Sequence, residues 1–223
     1  MQNIVRQVKR RLKSFLYTPT ERRHSLVGPA RLWEMKREFQ IKFLKQVGLK
    51  PEHRLLDIGC GTLRGGIPII EYLENGRYSG IEYREEVLDE GRKELRESGL
   101  AHKQPSLIAA KDISELNLGK KFDYIWAFSV LIHMKDNILY DTLKVIRQHL
   151  ADTGYFYANV NIGDHPGGEW QGFPVVWRKL NFYEDACSNA GLKIEDIGPI
   201  KNFGHISRDA AQDKQRMLKI WKT

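Results

Sequence analysis

Leu55-Leu56-Asp57-Ile58-Gly59-Cys60-Gly61-Thr62-Leu63-Arg64-Gly65-Gly66 is the stretch that decides the fold. Two leucines and an isoleucine surround an aspartate and run into glycines. This reads as a buried strand, a tight turn and the start of a helix. Glycine permits the sharp bend and lets a ligand approach the backbone closely. In an open α/β sheet such a turn lies at the carboxyl ends of the strands, where ligands bind. The stretch is not a dinucleotide fingerprint, because the spacing G-x-G-x-x-G from Gly59 needs glycine where Arg64 stands. An acid just before the first glycine suits a cationic ligand better than a pyrophosphate.

S-adenosylmethionine carries an ammonium and a sulfonium and has no phosphate. Leu56-Asp57-Ile58-Gly59-Cys60-Gly61 resembles the first motif of class I S-adenosylmethionine-dependent methyltransferases. The usual family pattern has a third glycine where this chain has Leu63. Phe122-Asp123-Tyr124-Ile125-Trp126-Ala127-Phe128, continuing into Ser129-Val130-Leu131-Ile132-His133-Met134, resembles the family's fourth-strand motif. The resemblance spans about residues 30–223. It implies a Rossmann-like α/β fold: a seven-stranded, mostly parallel sheet with helices on both faces and an antiparallel last strand. It also implies methyl transfer with S-adenosyl-L-methionine as cofactor.

Working outward, residues 54–58 read as the first strand and 65–74 as the helix after the turn. Residues 78–82, 107–110, 122–128, 154–160, 192–197 and 217–221 read as further strands. Helices are expected over 30–47, 85–97, 136–150 and 182–191. Residues 161–181 and 199–214 read as long loops at the ligand-bearing edge, and long loops are usually functional or disordered.

The resemblance places Asp57, Gly59, Cys60 and Gly61 at the cofactor. Glu82 ends the second strand 21 residues beyond Gly61, near the spacing of an acid that accepts hydrogen bonds from a ribose. Its plain alternative is a surface glutamate in a charged stretch. Tyr83 is placed to lie against adenine. Asp112 and Ile113 match, by order and spacing, the acid and apolar residue that meet the adenine in resembling enzymes; an Asp there also suits a helix N-cap. Ala127, Phe128 and Ser129 should border the methionine portion and the methyl group. Trp33, Lys36 and Arg37, on the helix before the first strand, are candidates for the methionine end, against a reading as packing and surface. Arg64 has three readings: binding the methionine carboxylate, pointing to the acceptor, or facing solvent.

A hydroxyl acceptor needs a base, and histidine is the commonest. His133, just past the fourth strand, ranks first by position. His165 and His205 stand in the two acceptor-side loops. The alternative for His133 is helix-start packing. Ala127-Phe128-Ser129-Val130 does not match the N/D-P-P-Y/F tetrapeptide of enzymes that methylate DNA-base amines. No carboxylate cluster points to a metal, so no metal ligands are expected. A hydroxyl or amine on a small molecule, sugar or lipid-linked glycan remains.

The formal charge of the 223 residues is +8, but residues 1–23 carry a net +6, which leaves +2 for the other 200. Residues 3–17 place Ile4, Val5, Val8, Leu12, Phe15 and Leu16 at helical spacing, with basic residues on the other face. Such a helix can lie on an anionic membrane, dock on a partner, or cap its own domain. We therefore divide the chain into a basic amphipathic arm, 1–27, and a cofactor-binding domain, 28–223. The near-neutral domain makes nucleic acid an improbable partner. Cys60 and Cys187 form no metal or disulfide spacing, and no signal peptide or spanning segment is evident. The expected location is cytoplasmic, with peripheral membrane contact through residues 1–23. Two other functions stay open at this point: a non-catalytic cofactor-binding module recruited by the arm, and an RNA methyltransferase that uses the arm for phosphate contacts.

Overall fold

The computed structural model describes residues 18–223, so the helix expected over 3–17 lies outside the described residues. In chain order the helices are α1 (Pro19–Ser25), α2 (Trp33–Gln46), α3 (Gly66–Tyr72), α4 (Glu85–Glu97), α5 (Asp136–His149), α6 (Leu180–Asn189) and α7 (Ala210–Asp213). The strands are β1 (Leu55–Ile58), β2 (Tyr78–Glu82), β3 (Ser106–Ala109), β4 (Phe122–Ala127), β5 (Leu150–Val160), β6 (Gly168–Trp170), β7 (Phe173–Val175), β8 (Leu192–Pro199) and β9 (Arg216–Lys222).

Seven strands form one sheet in the order β3-β2-β1-β4-β5-β9-β8. β1 pairs in parallel with β2 and β4, and β9 runs antiparallel between β5 and β8. This is the expected Rossmann-like sheet. Strand periodicity explains its two cores, because successive side chains point to opposite faces. Leu56, Ile58, Ile125 and Ala127 join the α5 and α6 side, with Leu139, Leu143, Ile146 and Tyr183. Leu55, Tyr78, Tyr124 and Trp126 join the α2–α4 side, with Phe39, Phe43, Ile70 and Leu88.

Helix α2 is tied to the sheet by one polar side chain. Trp126 donates its indole N–H to Gln40 Oε1 at 2.9 Å, and Gln40 lies against Gly65, where a Cβ would collide with it. Lys36 stands one turn earlier on the same helix face, over the carboxyl edge of the sheet.

The expected long loops carry structure. Residues 161–181 contain the β6–β7 hairpin, whose tip, Gln171-Gly172, has φ of 51° and 84°. Two positive φ values in a two-residue connection match the twist of the flanking strands. Arg178 anchors the return, donating to Asp136 Oδ1 and to the Met134 carbonyl at 2.7 and 2.6 Å. Residues 199–214 contain a 3₁₀ turn, Ile200–Phe203, and the one-turn helix α7.

Residues 18–27, grouped with the arm above, are fastened to the domain. Thr18 and Glu21 form a reciprocal capping box that starts α1. Arg23 reaches Glu94 and Glu97 at 2.6 Å and Glu90 at 3.2 Å, all on α4. His24 stacks on Trp33 with ring centroids 3.5 Å apart.

Candidate active site

The turn after β1 is held by the next strand: Gly59 and Cys60 donate their N–H groups to the Ile81 carbonyl. Gly59 has φ 71° and Gly61 φ 57°, where a side chain would strain the backbone. A Cβ at Gly59 would meet Val130, and one at Gly61 would meet Val27. Leu63 explains the departure from the family pattern. It holds φ 60°, the left-handed conformation that the usual glycine adopts freely. Its side chain is fully buried in the α2–α4 core, and that packing offsets the strain.

Asp57 does not face an open site. It is 3 % exposed and accepts a hydrogen bond from the Tyr78 hydroxyl at 2.7 Å. Burial pushes its carboxyl up to about 7, against the pull of that hydrogen bond and of Arg64. Asp57 is therefore tied to β2 through Tyr78. Cys60 is likewise buried, so only its backbone takes part in the turn.

Glu82 stands where its spacing placed it. One carboxylate oxygen accepts the Gly61 N–H at 3.0 Å, and the other accepts from the Arg84 backbone at 3.1 Å. The plain reading of Glu82 as a surface residue is overturned by its 6 % exposure. Tyr83 is 56 % exposed, with its edge toward Phe173 of β7. Asp112 folds back to accept from the backbone and hydroxyl of Ser114, which lowers its pKa. No helix follows it, so it caps a turn rather than a helix. Ile113 packs on the core beside it.

At the exit from β4, Ala127 and Phe128 are buried and Ser129 sits at φ 59°. Its N–H donates to Asn159 Oδ1 at 2.6 Å. Asn159 in turn donates to Gln215, and Gln215 to Asn161. This buried amide chain holds the strained exit in place, and no sequence pattern marks it, because its members lie on three separate segments.

The histidines part company. His133 gives Nδ1 to the Pro174 carbonyl of β7 at 2.8 Å, so Nδ1 carries the hydrogen and Nε2 is left as a base. Its ring stacks on Trp170, and burial lowers its pKa. His165 is exposed and packs edge-on against Trp177, with no contact to the glycine turn or the β4 exit. His205 is 1 % exposed, gives Nδ1 to Asp213 at 2.9 Å, and lies beside Phe39 and Phe128. Burial lowers its pKa to about 4.

Arg64 is buried rather than facing solvent. It donates to the Val27 carbonyl at 2.9 Å, and its Nε has no partner. Burial pulls its pKa down to about 10. Lys36, on α2, is 6 % exposed, and its ammonium lies 5.8 Å from the Phe128 ring centroid. Trp33 is buried against His24, and Arg37 is half-buried. Sequence reasoning missed Arg23, Val27 and Asp213, whose roles come from contacts distant in the chain. Among the described residues no three His, Cys, Asp or Glu side chains are grouped to hold a metal ion.

The carboxyl edge of the sheet thus holds a glycine turn, the buried acid Glu82 bonded to it, and unpartnered buried polar atoms at Thr62 Oγ1, Arg64 Nε and His205 Nε2. These features fit a ligand with hydroxyl and charged groups, as S-adenosylmethionine has.

Residues 56–156 match the family model described as a methyltransferase domain. Among solved structures, the chain is similar to magnesium protoporphyrin IX methyltransferase from Synechocystis with bound S-adenosylmethionine. Identity there is 15 %, TM-score 0.67, and the match covers 96 % of this chain and 97 % of that one. An S-adenosylmethionine-dependent methyltransferase from Clostridium acetobutylicum shares 17 % identity at TM-score 0.63, over 85 % of this chain and 91 % of that one. The glycopeptide N-methyltransferase MtfA with S-adenosylmethionine shares 15 % at TM-score 0.64, over 86 % and 94 %. No curated protein matches the chain.

Proposed function

We propose that this chain is a class I S-adenosylmethionine-dependent methyltransferase and that it methylates a hydroxyl, or an amine, of a small molecule, sugar or lipid-linked glycan, with His133 as base. One observation carries the base: the Pro174 carbonyl fixes the tautomer of His133 and leaves Nε2 free at the β4 exit. The β6–β7 hairpin that supplies this carbonyl also brings Trp170 and Phe173, apolar faces suited to a ring-bearing acceptor.

When bound, S-adenosylmethionine supplies an electrophilic methyl group on a sulfonium. In this reading Glu82 takes the ribose hydroxyls, Asp112 and Ile113 meet the adenine, and the Gly59–Gly61 backbone runs alongside. Phe128 and Ser129 border the methyl. With the cofactor bound, the methyl group would pass from sulfur to the acceptor, leaving the neutral thioether S-adenosylhomocysteine, and His133 Nε2 would hold the proton the acceptor hydroxyl gives up. The rest is alignment, which can lower a barrier by about 7–11 kcal/mol.

The test uses tritium-labelled methyl transfer from S-adenosylmethionine into aqueous and lipid fractions of a cell extract. His133→Gln should lower the rate about 100-fold or more and leave S-adenosylhomocysteine affinity unchanged. The wild-type rate should rise with pH through a midpoint below the ordinary histidine value, because burial lowers the pKa of His133. A variant that keeps the wild-type rate would remove His133 from the mechanism. Label in the lipid fraction supports the lipid-linked acceptor.

No helix among the described residues is long and apolar enough to cross a membrane. Peripheral contact through the basic residues of 1–23 is part of this proposal, within a cytoplasmic setting. Sedimentation with anionic vesicles, with and without residues 1–17, tests it. The contacts of Arg23 with α4 and of His24 with Trp33 support grouping residues 18–27 with residues 28–223.

A further inference from the structure

Arg84 stands where three parts of the chain meet. It follows the end of β2 and starts α4. Its guanidinium donates Nε–H to Glu82 Oε1 at 3.4 Å, both terminal nitrogens to the Leu26 carbonyl at 3.4 Å, and one of them to Gln171 Oε1 at 3.5 Å. Its centre lies 5.3 Å from the Phe173 ring centroid, within cation–π range. The Gln171 side chain also donates to the Ser25 carbonyl at 3.3 Å, so the end of α1 and the hairpin tip are joined to each other as well.

All of these guanidinium hydrogen bonds are long, near the limit of what counts as one. The fork of N–H donors is shared among three acceptors and committed to none of them. Glu82 supplies the reason for an exchange. A carboxylate accepts at about four lone-pair sites. Glu82 already accepts from the Gly61 N–H, the Arg84 N–H and the Arg84 Nε–H. Two ribose hydroxyls cannot be added without releasing one of these donors, and the Arg84 Nε–H contact is the longest of the three. On the other side of Arg84, Phe173 precedes Pro174, whose carbonyl holds His133 Nδ1. The Phe173 ring itself lies 6.3 Å from that of His133.

Resting on the methyltransferase reading, we propose that Arg84 is a positioning residue that links the adenosyl site to the acceptor hairpin: ribose hydroxyls at Glu82 release its guanidinium, which closes on Gln171 and Phe173 and fixes the β6–β7 hairpin against His133. An empty adenosyl site leaves the hairpin loosely tied, and an occupied one orders it. The differential contact that any ligand-driven change requires is the exchange at Glu82 Oε1.

Amide hydrogen exchange of residues 168–175, with and without saturating S-adenosylhomocysteine, tests this. In the wild type the ligand should slow exchange there by about 3- to 10-fold, the scale of one hydrogen bond gained. Arg84→Met should still bind S-adenosylhomocysteine and show no slowing in the hairpin. Gln171→Ala, at the exposed tip, should weaken the slowing in the same way without touching the adenosyl site. Arg84→Lys separates charge from fork, because an ammonium cannot hold several acceptors in one plane. It should lose the slowing as well.

A second readout is the titration of His133, which a merely structural role for Arg84 would not move. Burial lowers the pKa of His133 and the Pro174 carbonyl opposes. Among the described residues the charges acting on it are Arg84 and Lys36, both lowering it. Arg84→Met should therefore raise the His133 midpoint in proton NMR, assigned with His133→Gln, and Arg84→Lys should leave it in place. Hairpin exchange that ignores S-adenosylhomocysteine in the wild type, or slows equally in Arg84→Met, overturns the proposal. Failure of the methyltransferase reading is distinct: the wild type would then bind no S-adenosylhomocysteine, and the proposal would fall with it.

Discussion

Arg23 is 8 % exposed and Lys36 is 6 % exposed, yet the fold treats these two cations in opposite ways. Arg23 is surrounded by Glu90, Glu94 and Glu97, and the hydrogen bonds it donates to Glu97 raise its pKa. Lys36 has no acid at bonding distance and is pulled toward neutrality by burial. The first cation has completed its contacts within the chain and fastens α1 to α4. The second is left incomplete beside Phe128 at the exit of β4. A buried charge satisfied by its own protein is a structural joint. One left unsatisfied is a cost that nothing within the chain offsets.

Removing the joint should have the largest effect. Arg23→Met leaves three glutamates facing an apolar side chain. We expect a loss of about 2–3 kcal/mol in urea denaturation, below the full cost of breaking a buried pair because part of the glutamate cluster meets solvent. If stability is unchanged, the contrast with Lys36 fails.

Lys36→Met should move stability the other way, by about 1–2 kcal/mol without ligand. The pH dependence fixes the sign. A lysine whose folded pKa lies below its unfolded value binds fewer protons when folded, so its contribution becomes more favourable as pH rises above about 7. The advantage of the methionine should thus be larger at pH 6 than at pH 9. An advantage that is flat with pH would show Lys36 to keep its ordinary charged state in the fold, and one that grows with pH would show it to be paired.

The smallest effect concerns the two strained backbones, and it sharpens the same distinction. Leu63 is strained inside a core, and Ser129 is strained at the site, held by Asn159. Ser129→Gly should change stability by less than about 0.5 kcal/mol, because relief of the positive φ offsets the extra freedom of the unfolded chain. Leu63→Gly should cost about 2 kcal/mol or more in the same assay, since buried leucine packing outweighs the relieved strain. Equal outcomes would mean that packing does not hold Leu63.

Much of the scaffold was legible in the chain, for local reasons. β2 spans the five expected residues, because an apolar strand that ends in an acid is a short-range pattern. The turn after β1 was legible because glycine is needed where φ is positive, and the position of Glu82 followed from strand and helix lengths. The hairpin was not legible. Its strands are three residues long, one contains Pro174, and what holds it is His133 and Tyr83, far away in sequence.

The sequence by itself thus determined the sheet, the glycine turn and the acid at its second strand, since periodicity and backbone freedom act over a few residues. It also named His133, His165 and His205 without ranking them by environment. Only the tertiary structure decided that Asp57 faces Tyr78, that His165 stands apart, that Arg64 is buried, and that Lys36 lacks the partners Arg23 has. The physical reason is that burial and pairing of a charge depend on which distant segments cover it, and no local pattern records that.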